Sequence, residues 1–442
     1  MGAIARGGAA VGASGDRGEP LSAEDRDILA LENDKVAGHT CKVIVLEDRI
    51  AAEALRASIA SRLERAPKMC VQLLDAGREP CWIPVEQLDL NAHVVEAGGD
   101  HPVEAVEFRE MVAGIFEQRL DRSRPLWCIH VIPELAWGGS ALIWRVHHAL
   151  ADGWASMQMA RGALWDEEPP DGASGDPSRT HSKAAKARDR RAHRRLSAFR
   201  AAMRESPQPW LRSPFSGRIG TRREVAFSSI ELAGLREVAR ATDGATLNDA
   251  ILAVVSGALH RWLEHRHGSL ESVRVKVPVS LHGSPMGEDQ GAGNRDSFFC
   301  LDLPVGSADP VERLTTIRRA TRTRKDGHDA ERLDALMREL GRVPRLRRFA
   351  EGVLSHPRSF ALNVSNVVGP RRPVRVLGAR VSELYSLAEI RERHALRIAA
   401  VSLCDSLNFG LVADPTLLED VAGLADDLEA EAAALIDCFD YV

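Results

Sequence analysis

The sequence predicts an α/β protein made of two domains, each a mixed sheet with helices packed on it. Three observations carry that expectation. The chain has 442 residues, too many for one ordinary core. Strand-like and helix-like runs alternate irregularly in both halves, the pattern of α/β layering. Between the halves lies a stretch rich first in chain breakers and then in basic residues.

Residues 1–19 are rich in Gly and Ala and lack the apolar core of a signal peptide, so a flexible leader is expected there. Residues 20–170 form the expected N-terminal domain. Within it, residues 42–46 (Lys-Val-Ile-Val-Leu) look like a strand, and residues 51–63 have helical spacing. Residues 140–146 form an apolar run that stops abruptly, and residues 154–164 resume with helical spacing. The sequence Glu-Glu-Pro-Pro-Asp-Gly at 167–172 ends this block.

Residues 171–222 are the expected linker. Its stretch 179–204 carries Lys183, Lys186, Arg188, Arg190, Arg191, Arg194, Arg195 and Arg200 against one acid, Asp189, with Leu196, Phe199 and Met203 as a narrow apolar stripe. That pattern fits a solvated helix docked by its stripe, or a basic helix resting on an anionic membrane.

Residues 223–442 form the expected C-terminal domain. Strands are predicted at 224–230, 273–279, 298–303, 359–364, 395–402 and 407–412, and helices at 231–241, 248–265 and 417–435. Thr246 or Asn248 would cap the second of these helices.

Composition narrows the function. A net charge of −5 gives no nucleic-acid signature. Seven cysteines, odd in number and without a C-x-x-C pair, favour reduced thiols in a cytoplasmic protein over disulfides or zinc. No uninterrupted apolar run of about 18 residues exists, so membrane contact is expected to be peripheral, on the inner membrane face or on lipid inclusions.

The chemistry gathers in Arg145-Val146-His147-His148-Ala149-Leu150-Ala151-Asp152-Gly153. The histidines stand where a strand gives way to a turn and then a helix. A neutral imidazole there can serve as general base toward an alcohol. Alternation puts Leu142, Trp144, Val146 and His148 on one face and Ile143, Arg145 and His147 on the other, so only one histidine can face a given cleft. Parity does not choose between them. Against the catalytic reading, both imidazoles could be structural members of a turn, and Asp152 an ordinary helix cap. A metal pair of His148 and Asp152 lacks further ligands at sensible spacing, so no metal is expected.

His147-His148-x-x-x-Asp152-Gly153 resembles the HHxxxDG signature of the CoA-dependent acyltransferase superfamily, which includes chloramphenicol acetyltransferase and peptide-synthetase condensation domains. Other segments narrow the resemblance to the bacterial wax ester synthase/diacylglycerol acyltransferase family. They are Leu21-Ser22-Ala23-Glu24-Asp25, Arg124-Pro125-Leu126-Trp127 and Ala245-Thr246-Leu247-Asn248-Asp249 with Gly257-Ala258-Leu259. Further on come Val277-Pro278-Val279-Ser280, Gly293-Asn294-Arg295-Asp296-Ser297-Phe298-Phe299, and Ser365-Asn366-Val367-Val368-Gly369-Pro370 with Gly378-Ala379. They follow the family's order over roughly residues 20–415.

The resemblance implies two chloramphenicol-acetyltransferase-like domains with the active-site tunnel at their interface. It implies fatty acyl-CoA as co-substrate, no other cofactor, and a long-chain alcohol or diacylglycerol as acceptor. It makes His148 the general base, with His147, Asp152 and Gly153 shaping the turn. In such enzymes the aspartate usually acts through an arginine, which the sequence does not identify. Asn248 is the candidate oxyanion donor, and Asp249 an orienting group. Pro125, Leu126, Trp127, Asn294 and Asn366 are candidate substrate contacts. Another lipid or polyketide-type alcohol, an amine, or a carrier-protein donor would fit the superfamily, and a non-catalytic acyl-CoA-binding module is a competing reading. The chain departs from the family at Ser402-Leu403-Cys404-Asp405, at 214–220, and at His39-Thr40-Cys41-Lys42-Val43, which is more polar than usual.

Overall fold

The computed structural model describes residues 18–75, 79–166, 213–280, 296–326, 356, 359–391 and 393–439. Most of the expected leader, the basic stretch 179–204 and Asn294 lie outside the described residues.

In chain order the strands are β1 (Glu19–Pro20), β2 (His39–Leu46), β3 (Val71–Leu74), β4 (Cys81–Pro84), β5 (Val94–Glu96), β6 (Trp127–Ile132), β7 (Ser140–His147), β8 (Glu224–Glu231), β9 (Val273–Ser280), β10 (Asp296–Leu303), β11 (Leu362–Val367), β12 (Arg375–Val376), β13 (Ala379–Ala388), β14 (Leu396–Leu403) and β15 (Ser406–Ala413). The α-helices are α1 (Ala23–Leu31), α2 (Ala52–Ala60), α3 (Leu90–His93), α4 (Ala105–Glu117), α5 (Gly153–Ala163), α6 (Leu232–Ala241), α7 (Leu247–Arg266), α8 (Pro310–Asp326) and α9 (Val421–Asp437).

Two six-stranded sheets dominate, in the orders β12-β13-β2-β7-β6-β5 and β10-β9-β11-β14-β15-β8, beside a small sheet β1-β4-β3. Both large sheets are mixed. β5 runs parallel to β6, and β11 runs parallel to both β9 and β14, while the remaining pairs are antiparallel. The fold is therefore α/β with mixed sheets and helices, as expected. Sheet membership does not follow chain order, because β12 and β13 of the later block complete the first sheet, pairing Tyr385 with Val43 and Ser386 with Lys42.

β2 and β7 are buried along their whole length, since each has a neighbour on both sides and a covered layer on both faces. Leu142, Trp144 and Val146 of β7 join one core cluster and Ala141 and Ile143 another, so the predicted alternation holds. The late strand expected at 359–364 lies at Leu362–Val367, three residues on. Its polar residues Asn363, Ser365 and Asn366 hide it from a hydrophobicity pattern; pairing to β14 on one side and β9 on the other makes it a strand. The start of α7 is resolved in favour of Thr246, whose side chain caps it; Asn248 lies inside the first turn.

Candidate active site

The histidine pair terminates β7, and backbone hydrogen bonds fix both members. His147 N–H donates to Leu126 O at 2.9 Å and His148 N–H to Gly38 O at 2.9 Å. The carbonyl of His147 then accepts from Leu150 N at 2.9 Å and Ala151 N at 3.2 Å, which turns the chain. Asp152 stops the turn and starts α5, with Ala155 N–H donating to its Oδ1 at 2.7 Å. The Asp-Gly step is thus a helix cap, whatever else it does.

The two imidazoles meet different surroundings, as alternation requires. His147 is 1% exposed, and its Nδ1 accepts from Ala149 N–H at 3.1 Å. The proton of a neutral ring must then sit on Nε2, which faces Glu32 Oε2 at 3.4 Å. Glu32 follows the end of α1 and is held by Arg119 at 3.2 Å and Arg122 at 2.6 Å. Burial acts most strongly on this carboxyl and favours its neutral form, but the hydrogen bonds from His147 and Arg122 outweigh it and lower its pKa. Gly38 makes the close fit possible: its φ is +73°, and a Cβ there would lie 2.6 Å from His147 Nε2.

His148 sits past the strand end, partly exposed. Burial of its imidazole, followed by the charge of Arg397, pulls its pKa down to about 4; Arg391 acts the same way and Asp152 opposes. The ring is therefore a neutral proton acceptor throughout the physiological range.

His147, His148, Asp152 and Gly153 thus share one turn. Pro125, Leu126 and Trp127 lie buried behind it: Leu126 O holds His147, while Trp127 Nε1 donates to Met69 O at 2.8 Å and its ring stacks on His93. Asn366 occupies the end of β11, next to Val367, whose Cγ2 would lie 3.4 Å from a Cβ on Gly153. The second sheet reaches the histidine turn at this point.

Asn248 is half-buried in the first turn of α7, and the described contacts do not tie it to that turn. Asp249 closes a capping box with Thr246 and accepts from Thr321 Oγ1 at 2.7 Å. Sequence reading missed Glu32 and Arg397, because an acid after a helix and an arginine in a strand carry no local signal. Among the described residues no group of three or more His, Cys, Asp or Glu converges as metal ligands would, and no helix is long and apolar enough to cross a membrane.

Two family models match the chain: the wax ester synthase/diacylglycerol acyltransferase catalytic domain over residues 21–208 and the WS/DGAT C-terminal domain over residues 292–435. A Mycobacterium tuberculosis protein named a putative diacylglycerol O-acyltransferase is 31% identical over 454 residues, covering 94% of this chain and 96% of its own. The O-acyltransferase WSD of Acinetobacter baylyi is 26% identical over 381 residues, covering 79% and 82%. Among solved structures, the wax ester synthase/diacylglycerol acyltransferase from Marinobacter aquaeolei VT8 superposes with a TM-score of 0.71 at 22% identity, covering 96% of this chain and 100% of that one. The first condensation domain of the CDA synthetase superposes at 0.59 with 15% identity, covering 94% and 96%. Both structural matches speak to the fold.

Proposed function

The chain belongs to the wax ester synthase/diacylglycerol acyltransferase family, and from that premise we propose how its residues perform the reaction. The enzyme transfers a fatty acyl group from acyl-CoA to the hydroxyl of a lipid alcohol. His148 is the general base: it takes the hydroxyl proton as the alcohol oxygen attacks the thioester carbonyl, then gives that proton to the departing CoA thiolate. The observation that carries this assignment is the place of His148 just past β7, fixed by its backbone bond to Gly38 O on the turn where Val367 of the second sheet meets Gly153.

Asp152 holds the turn as the cap of α5, and His147, braced by Glu32, holds the strand end. Asn248 supplies an amide donor to the tetrahedral oxyanion from the first turn of α7. Asp249 is committed to Thr246 and Thr321 and orients that turn. Pro125, Leu126 and Trp127 back the base from the core, and Asn366, with Asn294, contacts the acyl chain or acceptor.

We read each large sheet with its helices as one chloramphenicol-acetyltransferase-like domain, residues 20–170 and 223–442 with 171–222 as linker, the first completed by β12 and β13. The tunnel then runs where β11 meets α5. Wax alcohols and diacylglycerol are both acceptors in this reading. The basic charge of residues 179–204 favours work at an anionic lipid surface on the cytoplasmic side.

The test is CoA release by the purified full-length protein from palmitoyl-CoA, with hexadecanol or dipalmitoylglycerol as acceptor. His148→Ala should lower kcat by about 10²–10⁴-fold, the usual worth of a general base. Asn248→Ala should cost about 10²–10³-fold, as loss of one oxyanion donor does. Unchanged turnover in His148→Ala would remove it as the base.

A further inference from the structure

We propose that Glu389 is a positioning residue for His148: together with Arg223 it clamps the chain entering β2, and that chain holds the backbone of the base. The inference rests on the reading of His148 as base. Residues 32–38 join α1 to β2 and lie outside the paired strands, so their buried backbone groups need partners from elsewhere. Asn33 closes the first turn, its Oδ1 accepting from Lys35 N–H at 2.8 Å and Val36 N–H at 3.2 Å. The next groups are held from the later half of the chain. Arg223, just before β8, donates through Nη2 to Lys35 O, and Glu389, just after β13, accepts from Ala37 N–H through Oε1 at 3.3 Å.

The two clamping side chains are themselves a buried pair, with Arg223 Nη2 at 3.5 Å from Glu389 Oε2. Arg223 Nη1 donates to Gly220 O and Arg222 O at 2.9 Å each, which fixes the guanidinium. One residue beyond Ala37, Gly38 O accepts from His148 N–H at 2.9 Å. Gly38 leaves little slack in between, because its φ is +73° and it packs directly on His147 Nε2. A displacement of Ala37 is therefore passed to the Gly38 carbonyl and on to the backbone of His148. Glu389 is also tied to the base by a second route. Its backbone carbonyl accepts from Arg397 Nη1 at 3.2 Å, the arginine whose charge bears on His148. Only the route through Ala37 uses the Glu389 side chain, so substitution separates the two.

Burial, the largest influence, pushes the Glu389 carboxyl up to about 7, while Arg223, the Ala37 bond and Arg397 pull it down. Both protonation forms keep an oxygen that can accept from Ala37, so the hold lies in the reach of the side chain rather than in its charge. Ala37 is 4% exposed, and an unpaired N–H at such a site is costly. An apolar side chain at 389 leaves that N–H without its acceptor, and the entry to β2 then shifts to find another.

The experiment is a double-mutant cycle on the full-length protein, measuring kcat and KM with palmitoyl-CoA and hexadecanol for wild type, Glu389→Leu, His148→Ala and the two combined. Glu389→Leu should lower kcat by about ten- to hundredfold, the range that small misplacement of a reacting group costs. It should leave both KM values within about twofold, since no substrate contact is removed. In the His148→Ala background the same substitution should change the residual turnover by less than about twofold, because no base is left to aim. An equal fall in both backgrounds would mean a role in folding alone and would overturn the proposal, as would wild-type kcat in Glu389→Leu. Should Glu389→Leu fail to fold, Arg223→Met/Glu389→Leu removes both charges of the pair and enters the same cycle, read by the same outcomes. Unchanged turnover in His148→Ala would overturn the base reading and this proposal with it. Turnover that falls with His148→Ala but not with Glu389→Leu overturns this inference alone.

Discussion

The two large sheets bury charge in different ways. In the second half, buried charges meet a partner directly: Arg274 reaches Asp302 at 2.9 Å, and Arg313 meets Glu431 between α8 and α9, with Arg261 of α7 on the same carboxylate. In the first sheet, Lys42 rests on a serine hydroxyl and the Arg145 guanidinium donates to the Gln118 carbonyl. Charges of the first kind fasten helices to one another. Those of the second kind rest on neutral groups, while His148 is held neutral by burial and by Arg397, which the second sheet brings to it. A buried charge is tolerated where something compensates for it, and the compensation differs between a brace and a reaction site.

The largest expected effect falls on the brace. Arg313→Met strips Glu431 of its fully buried partner, and breaking a buried pair from one side typically costs about 3–5 kcal/mol. Urea melts should record that loss while kcat per folded molecule stays at the wild-type value. A matching fall in kcat would erase the contrast between the halves. Gly257 offers a second route to the same result, since a Cβ there would collide with Glu431 and Arg313.

Next in size is the pH response of the first sheet. His148 has its folded pKa depressed to about 4 from an ordinary 6.5, so its stabilising contribution is full above 6.5 and is lost as pH falls toward 4. His130, also brought down to about 4 by burial and then Arg145, shares that sign. The acid limb of kcat/KM should lie near 4, with circular dichroism confirming that the chain remains folded at each point. A limb near 6.5 would mean that burial and Arg397 do not hold the base neutral.

The sequence carried part of this picture. The alternation of β7, the abrupt stop of its apolar run at Val146 and the Asp-Gly start of α5 are local patterns; the structure reproduces them, with the strand ending one residue later at His147. The insertion of β13 beside β2 was illegible, because Tyr385 and Val43 pair across the length of the chain and neither encodes its partner. Lys42 read only as unwanted polarity in a strand. Its hydrogen-bond partner Ser386 is brought to it by the fold from a distant segment.

A middle-sized effect should follow from Glu32→Gln. The amide keeps the shape and the polar contact with His147 but removes the charge shared with Arg119 and Arg122. Hydrogen bonds to charged groups are worth about 1.5–3 kcal/mol, so a tenfold or larger fall in kcat/KM is expected, from a residue that needs no substrate contact. Full activity in this variant would show that the strand end holds His148 without its brace.

The smallest effect should come from the counterpart of the histidine turn in the second half, the start of α7. Thr246 caps that helix as Asp152 caps α5, and both caps precede a residue assigned to the chemistry or stand next to one. Thr246→Ala removes the hydroxyl, and such losses cost about 1 kcal/mol. Asp249 keeps its bonds from the backbone N–H of residue 246 and from Thr321, so the turn should hold its shape. Melting should register the loss, and kcat should stay within about twofold, because an oxyanion donor suffers only when it moves. A tenfold fall in kcat at unchanged KM would show that Asn248 depends on its cap as closely as His148 depends on Asp152. The two helix starts would then be equal partners in the reaction, and the division of labour between the sheets would hold for charge alone.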